Sequence, residues 1–224
     1  MTPLLNTPGS AQAVLKTLSE GLLTSAGRTG VKGNSLEIHN PCAPRFEPAF
    51  LHASSEIYGL SVSLCQDDRS ETRQKLRCDS DQLPFQDGVF QAVLLHHVVS
   101  DGSELELDEA VRVLARDGVL ILLGLNRMGW RFRVRGSSER LPGLAPLRVK
   151  RRLEALGMAM QGFTGAGFCG MSRPIWMNNG IASLGAPLAD LVLLQARHRH
   201  GPEVTPLQFS NSRSGVVQSA PMRG

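Results

Sequence analysis

The run from Phe90 to Val99 (FQAVLLHHVV) constrains this chain more than any other segment. It is nearly continuous in apolar residues, does not alternate, and follows an Asp87-Gly88 turn. A strand with one wet face alternates, whereas a strand covered by helices on both faces of a parallel sheet need not. A second such run, Val119 to Leu125, comes after a helical pattern. Leu105, Leu107, Ala110, Val111, Val113 and Leu114 give Glu104 to Arg116 an apolar face, and Asp117-Gly118 is expected to stop that helix. Strand, helix and strand in this order predict a crossover unit and a parallel pair.

The flanking segments extend the same alternation. Ser35 to His39 and Ile57 to Leu64 read as strands, and Pro41, Pro44 and Pro48 leave room between them only for a brief helix at Glu47 to Ser54. Pro146 to Leu156 reads as a helix, Met158 to Phe163 as a strand and Leu188 to Arg197 as a closing strand, with one antiparallel strand expected in this last hairpin. Val14, Leu15, Leu18, Leu22 and Leu23 recur at helical spacing ahead of the first strand. The expected organisation is an N-terminal helix and linker over 1–34, one α/β domain over 35–200, and a flexible polar tail over 201–224. Open sheets of this kind bind ligands outside the carboxyl ends of their strands, where strand order reverses. That rule directs attention to His39, Ser61, Asp79, His96 and Asn126.

Composition excludes several alternatives. A chain of 224 residues suits one domain, and no apolar run approaches the roughly 20 residues a membrane-spanning helix needs. Cys42, Cys65, Cys78 and Cys169 are scattered, with no C-x-x-C pair. This argues against a structural zinc site or a disulfide scaffold and fits a reducing, cytoplasmic setting. No histidine and acid spacing suggests a metal. Charge is uneven: Arg127 to Arg152 holds nine basic residues and one acid in a chain of net charge +4. Such a block can attract an anionic ligand or an acidic protein, although a solvated helix face is the plainer reading. His96 and His97 end the first apolar run. Alternation should leave one of them off the buried face, and His97 is the one expected to serve as a catalytic base.

Several motifs resemble class I S-adenosylmethionine-dependent methyltransferases, of the type 11 group. Leu83-Pro84-Phe85 with Asp87-Gly88 and the following strand is similar to the segment leading into that family's fourth strand. Cys78-Asp79-Ser80-Asp81-Gln82-Leu83-Pro84-Phe85 resembles its Gly-Asp-Ala-Glu-x-Leu-Pro-Phe, and Val111 to Leu122 (VRVLARDGVLIL) resembles its RVLRPGGxLxI. Gly124 to Trp130, Ala196 to Gly201 and Thr205-Pro206 are similar to segments of a proteobacterial subgroup.

The resemblance implies a Rossmann-like, mostly parallel seven-stranded sheet with helices on both faces. It also implies methyl transfer from S-adenosylmethionine to a small or medium-sized acceptor, with catalysis mainly by positioning. Cofactor contacts would come from Glu37 and His39 in the first-strand motif, from Ser61 where the family has a ribose-binding acid, from Asp79 and Ser80 near the adenine, and from His96. The family's glycine-rich loop is altered, because His39, Pro41 and Ala43 stand at its three glycine positions. Cofactor binding is therefore expected to be weak or lost. The alternative function is a catalytically silent relative that binds a partner or an anionic ligand through its basic segment.

Overall fold

The computed structural model describes residues 8–25, 33–40, 42–43, 59–63, 80–100, 104–129, 141–167 and 188–199. The elements are α1 (Pro8–Ser25), β1 (Ser35–His39), β2 (Gly59–Ser63), β3 (Phe90–His96), α2 (Glu104–Val113), β4 (Leu114–Asn126), β5 (Gly143–Leu144), α3 (Pro146–Ala155), β6 (Met158–Ala166) and β7 (Leu191–His198). The expected brief helix at 47–54 and the tail beyond 201 lie outside the described residues.

Among the described residues, six strands lie in the order β2-β1-β3-β4-β7-β6, and the two-residue β5 pairs with the end of β4. Among those residues the sheet has six full strands and the two-residue β5, against the seven strands that the family resemblance implies. β1 to β5 pair in parallel. β7 runs antiparallel to both β4 and β6, as the closing hairpin was expected to require.

One boundary differs in an instructive way. α2 stops at Val113, before Asp117-Gly118. Leu114 already pairs with Phe90, and the register then shifts so that Val119 meets Ala92. The Asp-Gly pair sits in that irregular strand entry and does not end the helix.

The continuous apolar strands are explained by their two covered faces. Leu36, Ile38, Val93, Leu95, Leu120 and Leu122 point to one side and pack with Leu107, Ala110 and Val113 of α2 and Val149 and Leu153 of α3. Ala92, Leu94, Ile121, Leu123 and Leu193 point to the other and meet Leu15, Leu18, Leu22 and Leu23 of α1. α1 is therefore part of the core. Fully burying each such leucine contributes about 1.5–3 kcal/mol. The C-terminus of α3 closes at Gly157, whose φ of 78° suits a residue without Cβ.

The Leu83-Pro84-Phe85 turn is held by Arg112 of α2. Its guanidinium donates to the Leu83 and Phe85 carbonyls at 2.9 and 2.8 Å, to Glu109 at 2.7 Å and to Asp87 at 2.6 Å. Glu109 also accepts from the Leu83 amide at 3.0 Å. Hydrogen bonding to Arg112 lowers the Glu109 pKa below its ordinary value. Arg112→Ala is expected to cost roughly 2–3 kcal/mol, because two carbonyls and Glu109 lose a charged donor. A denaturant midpoint unchanged from wild type would show that the turn holds itself.

Candidate functional site

β1 lies between β2 and β3, so the connections leaving it and returning beside it cross in opposite directions. The carboxyl edge between β1 and β3 is thus the point where ligands of open α/β sheets bind. His39 and His96 end these two strands in register. Since Ile38 and Leu95 face α2 and α3, the alternation of the strands sends Glu37, His39 and His96 to the α1 side.

There they form a buried polar chain. His39 Nε2 lies 3.1 Å from Glu37 Oε2, and His39 Nδ1 lies 3.0 Å from His96 Nδ1. The two rings are nearly perpendicular, with centroids 5.2 Å apart. One tautomer pattern satisfies both contacts. In it His39 would donate from Nε2 to Glu37 and accept at Nδ1 from His96 Nδ1–H. Burial, then the neighbouring His97 and His39, hold the His96 pKa well below its ordinary value.

His97 departs from its expected position. β3 ends at His96, and His97 turns into the left-handed region at φ 56°, so strand alternation no longer governs where its side chain points. Its amide donates to the Leu123 carbonyl at 2.7 Å. Its ring is fully buried, not exposed, and lies 4.8 Å from that of His96. Neither ring nitrogen has a hydrogen-bond partner among the described residues. Burial, then His39, lowers its pKa to about 3. Such a weak base stays neutral at pH 7 and cannot hold a proton taken from an acceptor, but it can still donate and accept hydrogen bonds.

The loop after β1 shows how the glycine positions have been refitted. The Asn40 amide donates to the His96 carbonyl at 3.0 Å, the Cys42 amide to Asn40 Oδ1 at 2.9 Å, and the Ala43 amide to the Asn40 carbonyl at 3.0 Å. Pro41 has no amide hydrogen. From 40 to 43, then, every backbone donor is used within the protein or absent. The Ala43 side chain is buried in the α1-side core. These residues do not fit the family's way of holding the methionine portion of S-adenosylmethionine, in which glycine backbone approaches the cofactor. Sequence reading missed the part played by Asn40, although Asn-Pro is a turn-initiating pair and asparagine readily closes turns on its own backbone.

The remaining candidates divide. Ser61 lies mid-strand in β2, paired with Glu37 and two residues short of the strand end. Ser80 is half-buried in the turn before Leu83. Asp79 lies outside the described residues, as do Arg131, Arg133, Arg135 and Arg140 of the basic segment. Asn126 clamps its own turn: Nδ2 donates to the Ala189 carbonyl at 2.8 Å, and Oδ1 accepts from the Met128 amide at 3.0 Å. No group of three or more metal-ligating side chains occurs among the described residues. No helix among them is long and apolar enough to cross a membrane.

Residues 45–122 match a family model described as a methyltransferase domain. The match takes in β2, β3, α2 and most of β4, and begins after the β1 loop. No curated protein sequence matches the chain. Solved structures share the fold. A Mesorhizobium loti S-adenosylmethionine-dependent methyltransferase is 13% identical, with 81% of this chain and 98% of that one covered and a TM-score of 0.55. One from Archaeoglobus fulgidus is 14% identical, covering 85% and 94%, with a TM-score of 0.54. Geranyl diphosphate methyltransferase in complex with S-adenosylmethionine is 13% identical, covering 88% and 93%, with a TM-score of 0.53. Residues 45–122 therefore resemble a methyltransferase domain, and the chain as a whole shares the fold of these S-adenosylmethionine-dependent methyltransferases.

Proposed function

We propose that this chain is a methyltransferase that uses S-adenosylmethionine, holds it weakly, and acts on a small or medium-sized acceptor at the carboxyl edge of β1 and β3. The observation that carries the reading is His97. A neutral imidazole has one donor and one acceptor, and burying both unpaired costs about 1–3 kcal/mol for each group. A non-glycine residue at positive φ adds to that cost. Unspent hydrogen-bonding capacity in a strained residue at the switch point is the signature of a position kept for a ligand. His97 would then orient the acceptor and leave proton removal to another group or to solvent. Asp79 and Ser61 would hold the adenosine end.

The closed Asn40 loop favours a second reading, in which the fold persists without catalysis. Methyl-labelled S-adenosylmethionine, supplied at millimolar concentration with a panel of amine, hydroxyl and thiol acceptors, separates the two. Label transfer should slow about tenfold or more in His97→Phe, the effect of losing one orienting hydrogen bond. Absence of transfer to every acceptor would support the silent reading.

A further inference from the structure

The buried polar chain at the carboxyl edge is a continuous line of proton-carrying groups. Glu37 and His39 are two residues apart on β1 and so point to the same side, and His39 meets His96 of β3 in register. Glu37 Oε2 lies 3.1 Å from His39 Nε2, and His39 Nδ1 lies 3.0 Å from His96 Nδ1. The ring centres are 5.2 Å apart. That separation exceeds the distance between the nitrogens by about two ring radii, so both nitrogens lie near the line joining the centres, as a straight hydrogen bond requires. Glu37 and His96 are fully buried, and His39 is 6% exposed.

With Glu37 ionised, the tautomer pattern described above satisfies this line: His39 carries its proton on Nε2 and His96 on Nδ1. With Glu37 protonated, a second pattern does so: His39 carries its proton on Nδ1 and His96 on Nε2. The second pattern holds one proton more. It arises when a proton arrives at His96 Nε2 and each group passes its own proton on, from His96 Nδ1 to His39 Nδ1 and from His39 Nε2 to Glu37 Oε2. No heavy atom moves, and neither ring becomes a cation. Burial, then His97 and His39, oppose a positive charge on His96. A lone histidine there could not keep a proton at pH 7, whereas the line delivers it to the carboxylate.

We infer that Glu37, His39 and His96 form a proton relay that deprotonates the acceptor through His96 Nε2, with Glu37 as the final holder of the proton. The inference rests on the acceptor position proposed at His97 and names the group that removes the acceptor's proton. The His97 and His96 rings lie 4.8 Å apart, so an acceptor hydrogen-bonded to His97 sits beside His96. In the step, the acceptor's bond to hydrogen breaks, its electron pair stays on the acceptor, and the proton goes to His96 Nε2. One proton then shifts across each link, and Glu37 becomes neutral. His96 touches the acceptor and is the catalytic residue, while His39 and Glu37 act through it. The acceptor class follows: a hydroxyl, thiol or ammonium group that must lose a proton to become nucleophilic.

para-Nitrophenol tests the relay on the full chain without the cofactor, because its phenolate absorbs visible light and the phenol does not. At about one pH unit below the probe's own pKa, wild type should convert the bound probe to phenolate. Glu37→Gln leaves His39 Nε2 an oxygen to donate to but takes no proton, so its bound phenolate fraction should fall about tenfold or more. Nitrogen NMR of the wild-type histidines is the second readout, and it decides alone if the variant does not fold. The free protein should show coupling between the two Nδ1 atoms, and probe binding should move the His96 proton from Nδ1 to Nε2 with neither ring cationic. The relay is overturned if wild type binds the probe as phenol, or if Glu37→Gln still yields the phenolate. It is equally overturned if the coupling is absent, if either ring becomes a cation on binding, or if no probe binds at about 10 mM. Phenolate formation without methyl-label transfer would remove the methyl-transfer reading and keep the relay, and label transfer without phenolate formation would do the reverse.

Discussion

Acidification from pH 7 to pH 5 should destabilise the wild-type protein by about 2 kcal/mol more than a His97→Phe variant. The sign follows from the direction of the shift. Unfolded, His97 takes up a proton near its ordinary value of 6.5, whereas in the fold it stays neutral until about pH 3. Between those values the unfolded chain binds more protons, so stability falls as the pH drops through 6.5 and goes on falling to about 3. Over that whole window one such group contributes at most about 5 kcal/mol. His96, shifted in the same direction, keeps part of the acid sensitivity in the variant. Among the described residues, the titratable groups nearest His97 are His96 and His39, and Glu37 lies behind His39. At pH 7 the variant also loses two unpaired buried nitrogens, so it should be no less stable than wild type. Urea midpoints collected from pH 7 to pH 4.5 are the check. Parallel profiles for the two proteins would show that His97 is solvated, and its unspent hydrogen-bonding capacity would no longer mark a ligand position.

Refitting the first loop to the family pattern should strengthen cofactor binding by one to two decades. The variant is His39→Gly, Pro41→Gly and Ala43→Gly together with Ser61→Asp. The acid returns a charge-assisted hydrogen bond worth roughly 1.5–3 kcal/mol, and the glycines remove the side chains that obstruct close approach. Ser61→Asp alone separates the two contributions. A gain from it supports the assigned register of the second strand. If it has no effect while the glycine changes succeed, the ribose contact lies elsewhere along β2. His39→Gly also breaks the link to Glu37 and His96, so a modest loss of stability should accompany the gain in affinity.

Much of the architecture was legible because burial dictates it. Phe90 to Val99 and Val119 to Leu125 are apolar throughout because α1 covers one face and α2 and α3 the other. Their periodicity could not show where α2 would end, because the pairing of Leu114 with Phe90 is a tertiary contact. The glycine substitutions at His39, Pro41 and Ala43 were plain in the sequence, but their consequence was not. That the loop turns its amides onto Asn40 and His96 depends on two strands meeting in register. His97 shows the limit most directly. Period-two reasoning holds inside a strand, and this residue lies one step beyond its end, where a positive φ turns the ring back into the protein.

Titration calorimetry of the wild-type chain with S-adenosylmethionine and with its demethylated product tests the central claim most directly, since the claim is that a methyltransferase fold has closed the loop that should grip the cofactor. Two weakened contacts place the expected dissociation constant above about 100 μM for both ligands. Low-micromolar binding of either by the unaltered chain would contradict the account.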